Sequence, residues 1–568
     1  MSDTGGAPGY KPISQYGVIG DLRTVALVGT DGSIDWCCLP RFDSPSLFAA
    51  LLDRVKGGRF KISPAGPTVN KQIYLSETAV LLTRFLTPDG VGEIEDFMPL
   101  SAGAAAEDEP HEVVRRVRVV RGTMRFRLEL TPAFDYARAR HRLKIGSKGA
   151  VFKSGRSRVG LTSPVPLKAD GTGVGAEFTL RAGQRATFLL RHTEDHQPEL
   201  DPGFDDEKSF AETVEFWRGW TAGIRYKGRW REMVRRSAIT LKLLTYAPTG
   251  AIVAAPTASL PERLGGERNW DYRYTWIRDA AFTVYSFMRL GLTAEAEAFM
   301  GWVDARAREA GKKGSLQVLY SVTGLHKIPE ETLPHLEGYA GSAPVRVGNA
   351  AAKQFQLDIY GELMDSVYLS NKYGRPISHD LWVHLRTLLD YSCDHWRRPD
   401  DGIWEVRGGR RNFVYSKLMT WVALDRGLRL ADARGFPADR ARWTRERDAV
   451  YADIMKKGWK ESRGSFVQHY GSSALDAANL LMPMVHFVAP TDPRMLGTLD
   501  ATMKTLVSDS LVHRYQLGRG AGDGLSGGEG TFSMCTFWLV EALSRAGRVA
   551  EARLIFEKMV SYSNHLGL

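Results

Sequence analysis

Two hydrophobic periods divide the chain. From residue 10 to about residue 200 apolar and polar side chains alternate: Met124, Phe126, Leu128 and Leu130 are interleaved with Arg125, Arg127 and Glu129. A repeat of two sends successive side chains to opposite faces of a strand. Thr-Pro-Asp-Gly at 87–90 and Lys-Ala-Asp-Gly at 168–171 are turn chemistry between such strands. Punctuation this regular predicts a large antiparallel β-sandwich over 1–205. A helical linker is expected over 206–228, with its helix near 207–223.

From about Trp230 the period becomes helical. Trp230, Val234, Ala238, Leu241 and Leu244 fall on one face, as do Phe532, Cys535, Leu539, Ala542 and Leu543. A hairpin phrase recurs three times, as FTVYSFMRLGLTAEAEAF, YSKLMTWVALDRGLRLADA and CTFWLVEALSRAGRVAEARLIF. Each reads as an apolar helix ending near a glycine (Gly291, Gly427, Gly547) and followed by an Ala-rich helix. Roughly eleven helices are predicted, near 229–246, 277–290, 293–310, 349–372, 378–397, 411–431, 437–458, 473–488, 491–508, 531–546 and 548–563. The stretch 311–348 carries Tyr320, His326, Lys327, Pro329, His335 and Tyr339, and a loop that long in a helical domain points to function. Unequal loops predict a one-sided binding bowl on the helical domain, 229–568.

Composition narrows the class. With 43% hydrophobic and 25% charged residues the 568-residue chain can bury large cores and is no disordered polymer. The 76 Lys+Arg exceed the 65 Asp+Glu by 11, which allows anionic partners. The excess is dispersed, however, and the most basic stretch, 115–127, alternates with apolar residues as a strand with one wet face does. No nucleic-acid partner is therefore expected. Cys37, Cys38, Cys393 and Cys535 form no C-x-x-C or metal-type spacing, and no H-E-x-x-H or EF-hand pattern occurs. No metal or cofactor is expected, and Cys535 reads as a buried small hydrophobe. Neither a signal-like N-terminus nor an apolar run of about 18 residues is present, so the expected location is the cytoplasm, with no membrane partner.

Three segments could carry chemistry. The first, GGERNWDYRYTWIRD at 265–279, interleaves aromatics with Asp and Arg. A pyranose offers an apolar CH face for stacking and hydroxyls for carboxylate and guanidinium forks. The blander reading makes Asp271 or Asp279 a helix cap and the tryptophans core. The second, DGIWEVR at 401–407, sets Glu405 beside Trp404, an arrangement that raises a carboxyl pKa by desolvation. The third, GLSGGEGTF at 524–532, offers Glu529 as a ligand-facing carboxylate or as a charge near a helix N-terminus. It is not a P-loop, because no Gly-Lys-Ser/Thr ending follows.

Together these motifs resemble the bacterial branch of glycoside hydrolase family 15, the glucoamylase, glucodextranase and trehalase-type enzymes. The phrase YKPISQYGVIGDLRTVALVGTDGSIDWCCLPRFDSPSLFAALLD resembles the opening of that branch's β-sandwich. NWDYRYTWIRDAAF, LPHLEGYAGSAPVRVGNAA, GIWEVRG, FVQHYGSSALDAANLLMP and GLSGGEGTFSMCTFWLVEAL resemble successive landmarks of its catalytic domain. The resemblance implies a β-sandwich joined to an (α/α)6 barrel and inverting, exo-acting release of glucose from trehalose or α-linked gluco-oligosaccharides. By motif position Glu405 corresponds to the general acid. Arg278 and Asp279 correspond to residues that hold hydroxyls of the terminal sugar, Trp276 and Trp404 to pocket walls, and Arg346 and Asn349 to further substrate-binding residues.

Two departures stand out. Position 528 is glycine where many relatives read Gly-Glu-Glu-Gly, leaving only Glu529. The family's general base follows a phrase like Ser563–Leu568, so it is expected beyond Leu568, with the last barrel helix. A truncated chain, Glu529 acting as base, and a non-catalytic carbohydrate-binding or regulatory relative are the three readings of that difference. Which α-glucoside is accepted, and the oligomeric state, are left open; the loop 324–349 is where substrate choice is expected to be made.

Overall fold

The computed structural model describes residues 9–101, 110–516, 524 and 529–568. Antiparallel strands between Tyr16 and Glu194 form one hydrogen-bonded system of 15. Its spine is the 21-residue strand His111–Thr131. The first half of that strand pairs with Gly90–Phe97 and Arg185–Glu194, the second with Arg59–Pro64 and Gly173–Arg181. Between the halves Gly122 takes φ +75°, and a Cβ there would lie 1.9 Å from the Asp89 carbonyl oxygen, so only glycine fits the bend. The strand thus passes between two sheets that enclose Phe60, Phe85, Phe126, Phe152 and Phe188. The alternation expected at 124–130 is present: Met124, Phe126, Leu128 and Leu130 are buried, and Phe126 stacks on its cross-strand partner Phe178 at 5.5 Å.

The basic stretch departs from the wet-face reading at its start. Arg115 is wholly buried and donates to Asp96 at 2.7 and 3.2 Å and to the Phe60 and Gly32 carbonyls. Arg116 is also buried, against Glu95, Asp206 and Glu207. Arginine can be internal when every donor is matched, and periodicity cannot reveal the match. Only from Arg118 onward do the arginines face solvent.

The connector is the helix Asp206–Ala222, capped by the Asp205 carboxylate and anchored by buried Trp217. Ten α-helices follow among the described residues between Arg231 and Val560. Ile277–Leu290, Asp358–Tyr373, Val414–Arg434 and Ser533–Arg545 form an inner group, joined by the 3-10 turn Ala477–Leu481. Thr293–Ala310, His379–His395, Arg440–Asp453, Pro493–Thr505 and Val549–Val560 pack outside them. Val414–Arg434 buries 17 of its 21 residues, as a central helix must.

Three helix expectations change. Residues 473–488 form only the 3-10 turn, because Asp476 bonds the Ala478 N–H and Pro483 lacks a helical donor. The helix expected from 349 starts at Asp358, after a separate 3-10 turn, Ala350–Lys353. Gly427 ends nothing: its helix continues to Arg434 and stops at Gly435, φ +64°. A Cβ at Gly427 would meet Leu389 at 2.5 Å, so that glycine permits close helix approach. Gly291 does cap its helix in the left-handed region, as expected.

The strands and helices share a core. Val18, Val25 and Phe42 join Trp217, Leu243 and Ile277 in one apolar cluster. At the far end Asn564 donates to the Ser14 and Tyr16 carbonyls, while Leu566 enters the strand core. No helix among the described residues is long and apolar enough to cross a membrane.

Candidate active site

The site forms where inner segments begin. Trp276 precedes the helix Ile277–Leu290 and Arg278 and Asp279 lie in its first turn. Asp358 opens the next inner helix, the loop with Trp404 and Glu405 leads to Val414–Arg434, Asp476 caps the 3-10 turn, and Glu529 precedes Ser533–Arg545. Helix N-termini favour negative charge, so carboxylates gather there. Burial opposes the same charge, and the balance decides each protonation state.

Glu405 sits at φ +58°, a left-handed conformation for a non-glycine residue, of the kind that costs about 1–3 kcal/mol and clusters at functional sites. The turn is held by Glu405 N–H to the Gly402 carbonyl, by Gln354 Nε2 to the Glu405 carbonyl at 3.1 Å, and by Asp401, which accepts from the Phe355 N–H at 2.7 Å. The strained turn aims the carboxyl at Trp276, whose indole N–H donates to Oε1 at 2.6 Å. Burial pushes the Glu405 pKa above the ordinary carboxylate range, and nearby Asp279 pushes the same way; Arg278 and the Trp276 N–H hold it back.

Arg278 serves several acids at once. Its guanidinium lies 3.1 Å from Asp279, 3.5 Å from Glu405 and 4.0 Å from Asp358, and it donates to the Ile403 carbonyl at 2.8 Å. Asp358 is fully buried, and burial lifts its pKa to about 6 despite Arg278. Asp476 is likewise lifted by burial to about 6, against the pull of the Ala478 N–H and Trp404. It accepts from the Trp404 indole N–H at 2.9 and 3.1 Å and so fixes the ring beside Glu405. Trp404 also meets Phe532 and Trp538 through ring contacts at 5.9 and 6.1 Å.

A cavity of about 220 Å³ opens onto Glu405, with Tyr272, Trp404, Arg407, Arg514 and Asn349 in its wall. Of the sequence-selected residues, Glu405, Trp404 and Asn349 line it. Trp276 and Arg278 meet it through Glu405, and Asp279 stands behind them, paired with Arg278. Asn349 has both amide ends engaged: Oδ1 accepts from Ala351 N–H, and Nδ2 donates to the Asp271 carbonyl, so it shapes the loop. Arg346 donates to the Glu267 carbonyl at 2.6 Å and lies over the Trp270 ring at 4.7 Å. Glu529 is almost wholly enclosed, with Oε1 bound by Arg514 Nε and Oε2 3.5 Å from Arg268. The loop glycine at 528 falls at 525–528, outside the described residues.

Sequence reasoning did not single out Arg514, Glu262, Gln354 or Asp476. Arg514 bridges Glu529 and Glu262, the latter at 3.0 and 3.1 Å, and its guanidinium lies 5.6 Å from the Trp404 ring centre. The only local signal was the charged-aromatic pair Arg514-Tyr515 behind a short apolar strand, too common to notice. The motif at 271–273 carries another unsuspected role. Arg273, fully buried, binds Asp271 at 2.7 and 2.9 Å and reaches across to Tyr136 Oη and the Ser44 carbonyl of the strand domain. Asp271 in turn accepts from Gly348 N–H at 3.0 Å, so the strand domain braces the loop beside the cavity.

Among the described residues, no group of three or more His, Cys, Asp or Glu side chains is arranged to hold a metal ion. The arrangement offers a protonatable carboxyl on an aromatic, arginine-rich cavity. Such a site can donate a proton to a neutral polyol ligand gripped by hydroxyl contacts.

Residues 6–189 match the family model "Trehalase-like, N-terminal", and residues 228–566 match "Glycosyl hydrolases family 15". A trehalase of Mycolicibacterium smegmatis is 37% identical over 98% of this chain and 86% of its own length. A trehalase of Mycobacterium tuberculosis is 38% identical over 98% and 85%, and one of Thermoplasma volcanium 35% identical over 99% and 89%. A bacterial glucoamylase solved in complex with acarbose aligns over all of this chain and 91% of its own, with a TM-score of 0.72 at 12% identity, which is a likeness of fold. With an antiparallel strand domain, a paired-helix domain and carboxylates gathered at the inner helix ends, the chain belongs to glycosyl hydrolase family 15.

Proposed function

We propose that the chain hydrolyses trehalose to glucose with inversion at one anomeric carbon. The observation that carries this reading is the carboxyl of Glu405, raised by burial and held by the Trp276 indole at the mouth of the cavity. Trehalases 35–38% identical over nearly the whole chain support the substrate. Glu405 protonates the glycosidic oxygen as the C–O bond breaks, and water adds to the anomeric carbon from the opposite face. Arg278 and Asp279 hold hydroxyls of the terminal glucose, Trp404 forms a wall, and Trp276 orients the acid. Arg346 and Asn349 shape the outer part of the site.

A second carboxylate must activate the water across the ring. Glu529 is one candidate, but with Arg514 and Arg268 on its two oxygens it is better suited to holding Arg514. The same reading takes 1–205 as a supporting sandwich, 206–228 as linker and 229–568 as catalytic domain. The four buried free cysteines agree with residence in the reducing cytoplasm.

Inversion has a stoichiometric signature. Attack at one anomeric carbon of α,α-trehalose makes one β-glucose, while the leaving glucose keeps its α configuration. Proton NMR at early times is expected to show both anomers in equal amounts. Formation of α-glucose alone would contradict the mechanism, and no glucose from trehalose would contradict the substrate.

A further inference from the structure

Alternate residues of the segment 270–273 serve two sides. Trp270 and Tyr272 line the cavity, whereas Asp271 and Arg273 are wholly buried away from it. Arg273 reaches the strand domain with every nitrogen engaged. Nε and Nη2 donate to Asp271, Nη2 also donates to Tyr136 Oη at 2.7 Å, and Nη1 donates to the Ser44 and Phe42 carbonyls at 2.6 and 3.2 Å. Tyr136 sits in a turn where Asp135, Tyr136 and Ala137 take φ of +51°, +56° and +65°, values that residues with side chains rarely adopt even singly. Such strain persists where the surroundings over-determine it, and here they include the helical domain. The Tyr136 carbonyl accepts from His335 Nε2 at 2.7 Å, and Tyr136 shares an apolar cluster with Leu333, Leu336, Val345 and Val347. Asp271 closes the path back to the cavity. Its carboxylate accepts from Gly348 N–H at 3.0 Å and its carbonyl from Asn349 Nδ2 at 3.2 Å, and Asn349, Ala350 and Ala351 are cavity wall.

From this geometry we infer that Tyr136 and Arg273, neither of which lines the cavity, are positioning residues: they form a strut by which the strained turn 135–137 of the strand domain sets the place of the 346–351 wall. The inference deepens the proposed function, and its kinetic part rests on it. Among the described residues every one that lines the cavity comes from 262 onward, so the strand domain acts on the site through contacts of this kind. The strut holds the wall and not the acid, because the turn of Glu405 is fastened separately, by Gln354 and Asp401, and its carboxyl is aimed by Trp276. Loosening the strut therefore spreads the wall over several positions while the acid stays in place. Arginine suits the role because its planar fork meets a carboxylate on one edge and a phenol and two carbonyls on the others, which a single ammonium cannot do.

Two readouts on the full chain test the strut. Tyr136→Phe keeps the ring and removes the hydroxyl. Amide hydrogen exchange over 331–351 is expected to quicken about tenfold, the scale of one buried hydrogen bond lost, while the strand 111–131 keeps its rate. KM for trehalose is expected to rise by about the same factor, with kcat within about twofold. Arg273→Lys is expected to move exchange and KM in the same direction, and Tyr136→Phe added to it should contribute little more, because both changes break one connection. Should Arg273→Lys fail to fold, Tyr136→Phe alone decides. The control is Val114→Ala, which opens space in the separate apolar cluster of Phe97 and Leu189; it is expected to lower the melting temperature and leave exchange over 331–351 and KM unchanged. Unchanged exchange over 331–351 in Tyr136→Phe, the same loosening in Val114→Ala, full additivity of the two strut variants, or a fall in kcat with KM unchanged would each overturn the strut. If the loop loosens as expected while the unaltered chain releases no glucose from trehalose, the strut stands and the proposed reaction fails.

Discussion

Two ion clusters in this molecule balance charge differently. In the strand domain two acids share two cations: Asp31 lies 3.1 Å from Lys11 and 2.7 Å from Lys61, and Lys11 also lies 2.8 Å from Asp35. At the helix ends one cation stands among three acids, as Arg278 faces Asp279, Glu405 and Asp358. Burial would raise Asp31, but the two ammoniums overcome it and hold its pKa below the ordinary value. Burial wins at Glu405, because one guanidinium divided among three carboxylates cannot neutralise them all. The first cluster is arranged to stay charged; the second is arranged so that burial favours the protonated form of Glu405 and Asp358. Both are partly buried Lys/Arg–carboxylate contacts at similar distances, so the ratio of cations to acids, two to two in one and one to three in the other, sets which way burial tips the acids.

The largest expected effect breaks the comparison on the active side. Glu405→Gln keeps the shape and removes the acid, and should lower kcat on trehalose by about 10²–10⁴-fold, measured by glucose release. Its melting temperature should hold or rise, since a buried titrating group is gone. A kcat near that of the unaltered chain would mean that the second cluster is scaffold too.

Stability against pH gives the next largest. Asp476 rises from an ordinary value of 3.8 to about 6 in the fold, so between those values the native state holds a proton that the unfolded chain has released. Its stabilising contribution is complete below pH 4 and is lost as pH rises through 6, by up to about 3 kcal/mol. The stability advantage of the unaltered chain over Asp476→Asn, from urea midpoints, should therefore shrink between pH 4 and pH 6.5. Asp31 works in the opposite sense: its contribution is present above its unfolded value and is lost as pH falls through the lowered one. Asp31→Asn should cost about 1 kcal/mol at neutral pH, because the pair is partly exposed, and leave kcat unchanged.

The smallest expected effect is the most diagnostic. Trp276→Phe removes the indole N–H that favours the ionised Glu405, so the acid becomes weaker still. The basic limb of kcat/KM against pH should move to higher pH. A move to lower pH would mean that Trp276 does not hold Glu405 in the working enzyme.

Much of the fold was legible because burial imposes a period on sequence. The alternation at 124–130 and the helical repeats after Trp230 reflect apolar faces that must leave water. Legibility failed where a polar group was matched by something distant. Arg115 looked solvent-facing because its partners, Asp96 and the Phe60 and Gly32 carbonyls, come from other strands. Gly427 looked like a helix end because the sequence does not show Leu389 pressing against it. Around the cavity, Trp276, Arg278, Asp279, Trp404 and Glu405 could be proposed from the sequence because each sits in a dense aromatic-charged motif. Arg514 and Asp476 carry comparable contacts without such surroundings.

By itself the sequence determined the division into a strand region and a helical region, the family, and the identity of a carboxyl set beside tryptophan. The division depends on period and the carboxyl's setting on adjacency, while the family rests on the resemblance of motif phrases in order along the chain; a chain carries all of these before it folds. Only the tertiary structure decided how one Arg278 is divided among three acids, that Glu529 is held between Arg514 and Arg268, and that two distant arginines lie over the Trp270 ring. The reason is electrostatic: interaction energy depends on separation in space and on local burial, and both are set by segments tens to hundreds of residues apart.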